Sequence, residues 1–138
     1  MTPHPAEAAR LLACSTAQAG TVPYMLMADL GAEVIKIEVP GKGDNSRTSS
    51  VFPGLPSTYF ETNNRGVKSF TLNMKSPEAR DILHKLVARA DIFGQNFRPG
   101  AAEKNGFGYE DLKKINPKLV YMSISGYGSK GPNAKLPG

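Results

Sequence analysis

The sequence predicts an α/β fold, a parallel sheet with helices on both faces. Three observations carry this. Short apolar or alternating segments recur along the chain, segments with helical apolar spacing lie between them, and stretches rich in glycine, proline, serine and asparagine follow the apolar ones. Strands that alternate with helices are joined by crossovers, which makes the sheet parallel, and ligands of such sheets collect at the carboxyl ends of the strands.

Residues 11–15 (LLACS) read as the first strand, residues 22–30 as a short helix and residues 33–37 as a second strand, one βαβ unit. Gly31 suits the left-handed cap that ends the helix, and residues 33–38 alternate charge with Val34, Ile35 and Ile37. Residues 40–56 form a long glycine- and proline-rich loop, with a helical turn expected at 57–61; long loops within domains are usually functional. Gly41 and Gly43 let the loop backbone approach a ligand, and Lys36, Lys42 and Arg47 offer charge to an anion.

Residues 68–74 (KSFTLNM) alternate like a half-buried strand, and Ser76-Pro77 opens a helix to about Ala90 with an N-cap serine and a proline at the first position. Its stripe is Ile82, Leu83, Leu86 and Val87, with His84 beside it. Residues 91–95 (DIFGQ) are the next strand, residues 96–100 (NFRPG) a turn, residues 109–115 a short helix, and residues 119–125 (LVYMSIS) the most strongly buried strand, ending in coil from Gly126. The strand ends then deliver residues 18–20, 39–43, 72–75, 96–98 and 126–128 to one rim.

The 138 residues suit one domain, and 40% hydrophobic with 21% charged residues describe a globular chain. No apolar run approaches the ~20 residues that cross a bilayer, and the first residues carry no secretory leader. The single cysteine, Cys14, excludes an internal disulfide and a cysteine-based zinc site, and reads as buried filler beside Leu11 and Leu12. A reducing compartment fits: the cytoplasm, or a mitochondrial or peroxisomal matrix.

The net charge of +5 comes from cations scattered along the chain, with no arginine-rich arm or aromatic nucleic-acid motif. Separated cations converging from several loops suit an anionic small molecule better than a nucleic acid or a membrane.

Gly126, Gly128 and Gly131 spell GxGxxG after a strand, but Pro132-Asn133 follows where the dinucleotide fingerprint needs a helix. His4 and His84 do not have the spacing of a metal centre. Ser123 and Ser125 lack a nucleophile elbow, so no residue is nominated as catalytic.

One resemblance gathers these loops. Gln18-Ala19-Gly20, residues 27–38, PGKGD at 40–44, Arg47, residues 62–80 (TNNRGVKSFTLNMKSPEAR), NFRPG at 96–100, GFGYEDL at 106–112, NPKLVY at 116–121 and SISGYGSKGP at 123–132 stand in the order found in the class III coenzyme A transferases. That family also includes the α-methylacyl-CoA racemases. The resemblance runs over nearly all of residues 11–138, while the family's members are much longer.

It implies a Rossmann-like large domain, of which residues 1–138 would be an incomplete N-terminal part, and two full-length subunits threaded through each other as an interlocked homodimer. Coenzyme A would be the cofactor, as a thioester substrate exchanged with a carboxylic acid, without metal. Gln18 and Ala19 would meet it near the first strand, Leu72, Asn73, Met74 and Lys75 would border the adenosine, and Asn96, Phe97 and Arg98 would flank the phosphate and pantetheine.

Lys104 stands where the family often has Arg, keeping the charge but losing the bidentate fork. Thr21 replaces a usual Pro, Val39 a cofactor-contacting Arg of some members, and Arg65-Gly66-Val67 a basic pair. The aspartate that forms acyl and thioester intermediates in the transferases, and the His and Asp that exchange the α-proton in the racemases, lie past Gly138. The resemblance therefore implies a CoA-binding segment that is inactive alone. A racemase segment and a truncated, non-catalytic CoA-binding partner are the alternatives.

Overall fold

The structure is a computed structural model and describes residues 9–50, 52–134 and 136. His4 and the final Pro137-Gly138 lie outside these residues. Five strands form one sheet: β1 (Arg10–Cys14), β2 (Glu33–Glu38), β3 (Lys68–Thr71), β4 (Ile92–Gln95) and β5 (Val120–Ser123). Their spatial order is β3-β2-β1-β4-β5 and every pairing is parallel. The chain therefore steps outward from β1 to β3, then crosses to the other side of β1 for β4 and β5. That reversal makes a switch point between the carboxyl ends of β1 and β4.

Period-2 alternation splits the central strands between two cores. Leu11, Ala13 and Val34 face one way and pack with Tyr24, Met27 and Ala28 of α1 (Ala17–Asp29). Leu12, Cys14, Ile37 and Phe93 face the other way, under Ala79, Leu83 and Val87 of α3 (Pro77–Val87), Ala102 of α4 (Ala101–Lys104) and Leu112 of α5 (Tyr109–Ile115). Helices thus cover both faces, as the alternation predicts. Cys14 lies beside Leu12, not Leu11, and burial raises its thiol to about 12. Burying one such Leu, Val or Phe side chain contributes about 1.5–3 kcal/mol.

The best local signals give the most accurate elements. Ser76 caps α3 by accepting from Ala79 N at 3.2 Å, with Pro77 opening the helix. Asn116 then holds the carbonyls of Val87 and Ala90 at 3.1 and 2.8 Å. Gly31 does take positive φ, +96°, just past α1. Ile82 of the expected stripe is exposed, while Leu83 and Val87 are buried.

Other expectations change with the longer-range packing. α1 starts at Ala17, not at residue 22, so Gln18, Ala19 and Gly20 form its first turn and Pro23 sits inside it. The long loop contains a short 3-10 turn (Asn45–Thr48), capped by Asp44, and α2 covers Thr58–Asn63. Residues 101–104, which carried no expected element, form α4 after Gly100.

β3 and β5 are edge strands. β3 is exposed throughout and ends at Thr71, and only the next residue, Leu72, is buried. β5 is a four-residue strand whose Val120 is 60% exposed, because an edge strand has one neighbour to pack beside.

Candidate functional site

The turn after β1 carries the first part of the rim. Thr16 gives α1 no side-chain cap; instead its backbone is clasped by Asn96, which follows β4. Thr16 N donates to Asn96 Oδ1 at 3.0 Å, and Asn96 Nδ2 donates to Thr16 O at 2.8 Å. Gly20 must be glycine for this clasp, since a Cβ there would lie 2.5 Å from Asn96 Nδ2 and 2.8 Å from Ser15 Cβ. Pro23 has no N–H to return to the Ala19 carbonyl, so that acceptor loses its helical partner at the rim.

The turn after β4 is held from behind. Gln95 accepts from Phe97 N at 2.6 Å and donates to Ser123 Oγ of β5 at 2.8 Å. Phe97 packs its ring 5.7 Å from Phe107, which lies 6.3 Å from Phe93, and Phe93 stacks on Tyr121 at 5.5 Å. Burial lifts the Tyr121 phenol to about 12, and its hydroxyl donates to the Phe107 carbonyl at 3.2 Å. Between these turns opens a cleft of about 360 Å³, whose lining includes Ala19, Asn96, Phe97, Arg98, Ser125 and Tyr127. It lies at the switch point, where ligands of open parallel sheets generally collect.

A second hollow of about 350 Å³ lies after β3, among Met74, Lys75, Ser76, Pro77, Arg80, Asp81 and Asn105. Of the ten expected cofactor residues, Ala19, Asn96, Phe97 and Arg98 line the first cavity, and Met74 and Lys75 the second. Gln18, Leu72, Asn73 and Lys104 line neither. The Leu72 side chain is core and its N–H bonds Glu38 O at 2.9 Å. Asn73 is exposed and bonds its own loop, accepting from Lys75 N at 3.2 Å. Lys104 is exposed beside Asn105 of the second hollow.

Two cations expected to face an anion do not. Lys36 is buried, 3% exposed, and pairs with Asp44, while Asn64 Oδ1 accepts from it at 2.7 Å. Arg47 donates to Glu38 Oε2 from Nε at 3.1 Å and Nη2 at 2.8 Å, and lies 3.9 Å from the centre of the Phe60 ring. Lys42 alone of the three is left exposed with no ion pair among the described residues.

Burial pushes the Lys36 ammonium below its ordinary value against the opposing pull of Asp44. Burial also opposes ionisation of Asp44, but hydrogen bonds from Lys36 and Ser46 outweigh it and hold the carboxyl low. The two side chains form a buried salt bridge. Its signal in the sequence is the period of β2: Val34, Lys36 and Glu38 share a face, so two charges enter a covered layer and need partners.

Asp44 joins the two halves of the rim. Its Oδ1 accepts from Ser46 N at 2.8 Å, Ser46 Oγ at 2.7 Å and Ala17 N at 3.4 Å. Nothing in the sequence marked it as more than part of a glycine loop.

The cleft pairs an aromatic wall with backbone groups and Arg98, and the hollow adds Lys75 and Arg80. After Gly131 the described residues make a turn, not the helix a dinucleotide fingerprint needs. His84 Nε2 lies 3.4 Å from the Gly106 carbonyl, away from both cavities. Among the described residues no group of three or more His, Cys, Asp or Glu side chains could hold a metal, and no helix is long and apolar enough to cross a membrane.

A family model described as CoA-transferase family III matches residues 7–138. The acetyl-CoA:oxalate CoA-transferase of Acetobacter aceti is 48% identical over 112 residues, 81% of this chain and 29% of that protein. The human succinyl-CoA:glutarate CoA-transferase is 42% identical, over 97% of this chain and 31% of its own length. A crystal structure of a CAIB/BAIF family protein from Brucella suis superposes with a TM-score of 0.91 at 38% identity, covering 97% of this chain and 36% of that one. The chain thus spans about a third of the length of the curated relatives it matches.

Proposed function

The chain belongs to CoA-transferase family III, and from that premise we propose that it is the N-terminal, coenzyme A-binding part of an enzyme that moves coenzyme A between a thioester and a carboxylic acid. The observation that carries the reading is the cleft at the β1–β4 switch point, lined by Ala19, Asn96, Phe97 and Arg98. An extended ligand with anionic groups suits two hollows on one rim. The narrow cleft takes the thin pantetheine arm, and the hollow with Lys75 and Arg80, beside Lys104, takes the phosphorylated adenosine.

The binding half comes from these loops, and the reacting half from sequence beyond them. In this reading the nucleophilic aspartate, the choice of acid and the interlocked homodimer all belong to the full-length protein, and residues 1–138 alone turn over nothing. Both named relatives are CoA-transferases, which favours transfer over α-proton exchange.

The test is titration calorimetry of the full-length protein with coenzyme A. Saturable binding is expected, with Lys75→Ala and Arg98→Ala each weakening it about tenfold, the size of one charge-assisted hydrogen bond. Binding without either effect would show the site residues to be wrong, and no binding would end the reading.

A further inference from the structure

Among the described residues Ala17 is the only non-glycine with positive φ, +56°. An L-residue is held there only when its surroundings insist on it. Two groups insist. Asn96 clasps Thr16 on one side at 3.0 and 2.8 Å, and on the other Asp44 Oδ1 accepts from Ala17 N at 3.4 Å.

Asp44 is itself immobilised. Its side chain is 0% exposed, its Oδ2 faces the buried Lys36 ammonium, and Ser46 supplies two further donors to Oδ1. Lys36 is fixed in turn by Asn64, whose amide donates to the Phe60 carbonyl at 2.9 Å. An unbroken polar chain thus runs from α2, through the end of β2, to the first residue of α1. A loop that only needed to fold has no reason to end such a chain on a strained residue next to Gln18 and Ala19.

We propose that Asp44 is a positioning residue: through Ala17 it sets how the turn of Gln18 and Ala19 meets coenzyme A, with Lys36 holding Asp44 in place. This rests on the coenzyme A reading given above. Asp44 touches no ligand in this account; it acts on the turn that does. Whatever stability the ion pair adds is separate from this role, and glycine at position 17 separates the two, because glycine takes φ near +56° without steric cost.

The experiment measures coenzyme A affinity of the full-length protein by calorimetry, with circular dichroism as the check on folding, for wild type, Asp44→Asn, and Asp44→Asn combined with Ala17→Gly. Asparagine places an amide donor against the Lys36 ammonium and loosens the hold. Affinity is expected to fall about tenfold, the size of one hydrogen bond to a charged group. The added Ala17→Gly should bring it back to within about threefold of wild type through the coupling of the two sites.

A folded Asp44→Asn protein that binds like wild type overturns the proposal, and so does a loss that Ala17→Gly leaves untouched. If Asp44→Asn does not fold, Ala17→Pro carries the test. It leaves Asp44 and Lys36 intact, removes the donor and forbids positive φ, yet proline suits a helix start. A loss of about tenfold or more supports the proposal, and retained affinity overturns it. A wild type that takes up no coenzyme A removes the underlying reading and this one with it. A wild type that binds, beside an Asp44→Asn that binds equally, removes this one alone.

Discussion

The two sides of β1 are built differently. On the β2 side the carboxyl end of the sheet is filled by paired charge, buried at Lys36, Glu38 and Asp44 and covered by the half-exposed Arg47, which together fix the long loop. On the β5 side it is left open as a cleft with Phe97 and Tyr127 in its lining, Phe97 backed by Phe107, beside an edge strand exposed at Val120. The first arrangement holds backbone in one geometry at the cost of desolvating ions, while the second leaves room for a ligand. Preorganised loops on one side and vacant volume on the other are what a binding rim needs.

Removing one partner from the closed side should have the largest effect. Asp44→Ala removes the close partner of the buried Lys36 ammonium and leaves it only Glu38 Oε1 at 3.9 Å, so urea unfolding should report a loss of about 3 kcal/mol. A loss below about 1 kcal/mol, the scale of an exposed pair, would mean that water reaches this pair.

The same carboxylate gives a pH dependence. Its folded pKa is depressed, so the unfolded chain binds the proton first on acidification. The stability from Asp44 is present at neutral pH and is lost as pH falls below about 4, through the depressed value. Asp44→Asn should flatten that part of the stability profile, and an unchanged slope would assign it to other groups.

At the boundary between the sides, a Cβ on Gly94 would overlap the Tyr24 hydroxyl. Burial raises that phenol to about 12, and it sits 3.4 Å from Ser15 Oγ. Gly94→Ala should cost about 1–3 kcal/mol by overpacking. Adding Tyr24→Phe should return part of the loss, and strict additivity would rule out the clash as its cause.

The smallest effect is expected at the surface. Arg65 pairs with Asp29 at 2.5 Å, but both side chains are well exposed, so Arg65→Ala should shift stability by no more than about 0.5 kcal/mol. A larger loss there would blur the contrast between buried and exposed pairs.

The same contrast explains what was legible in the sequence. The cap at Ser76, Pro77 at the helix start and Gly31 past the end of α1 are local choices, and the chain shows them directly. The start of α1 was hidden because it depends on Asn96 and Asp44, distant in sequence, and because Pro23 looks like an opening residue rather than an interior one.

Lys36 and Arg47 read as free cations because charge is visible in a sequence and its partner is not. Lys36 could have been suspected from its place beside Val34 on a covered face. The apolar run of β5 announced a strand but not its position, since being at an edge is a property of the whole sheet. The loops of the rim follow from parallel topology, which sets them at the carboxyl ends of the strands whatever their side chains touch.

We propose that coenzyme A lies along the carboxyl rim of this sheet. Hydrogen–deuterium exchange of the full-length protein, with and without coenzyme A, tests it most directly. Slower exchange is expected at residues 16–20, 72–75 and 96–98, with no change at the opposite end of the sheet around Arg10, Glu33 and Asp91. Protection at that opposite end, with the three rim segments unchanged, would contradict it.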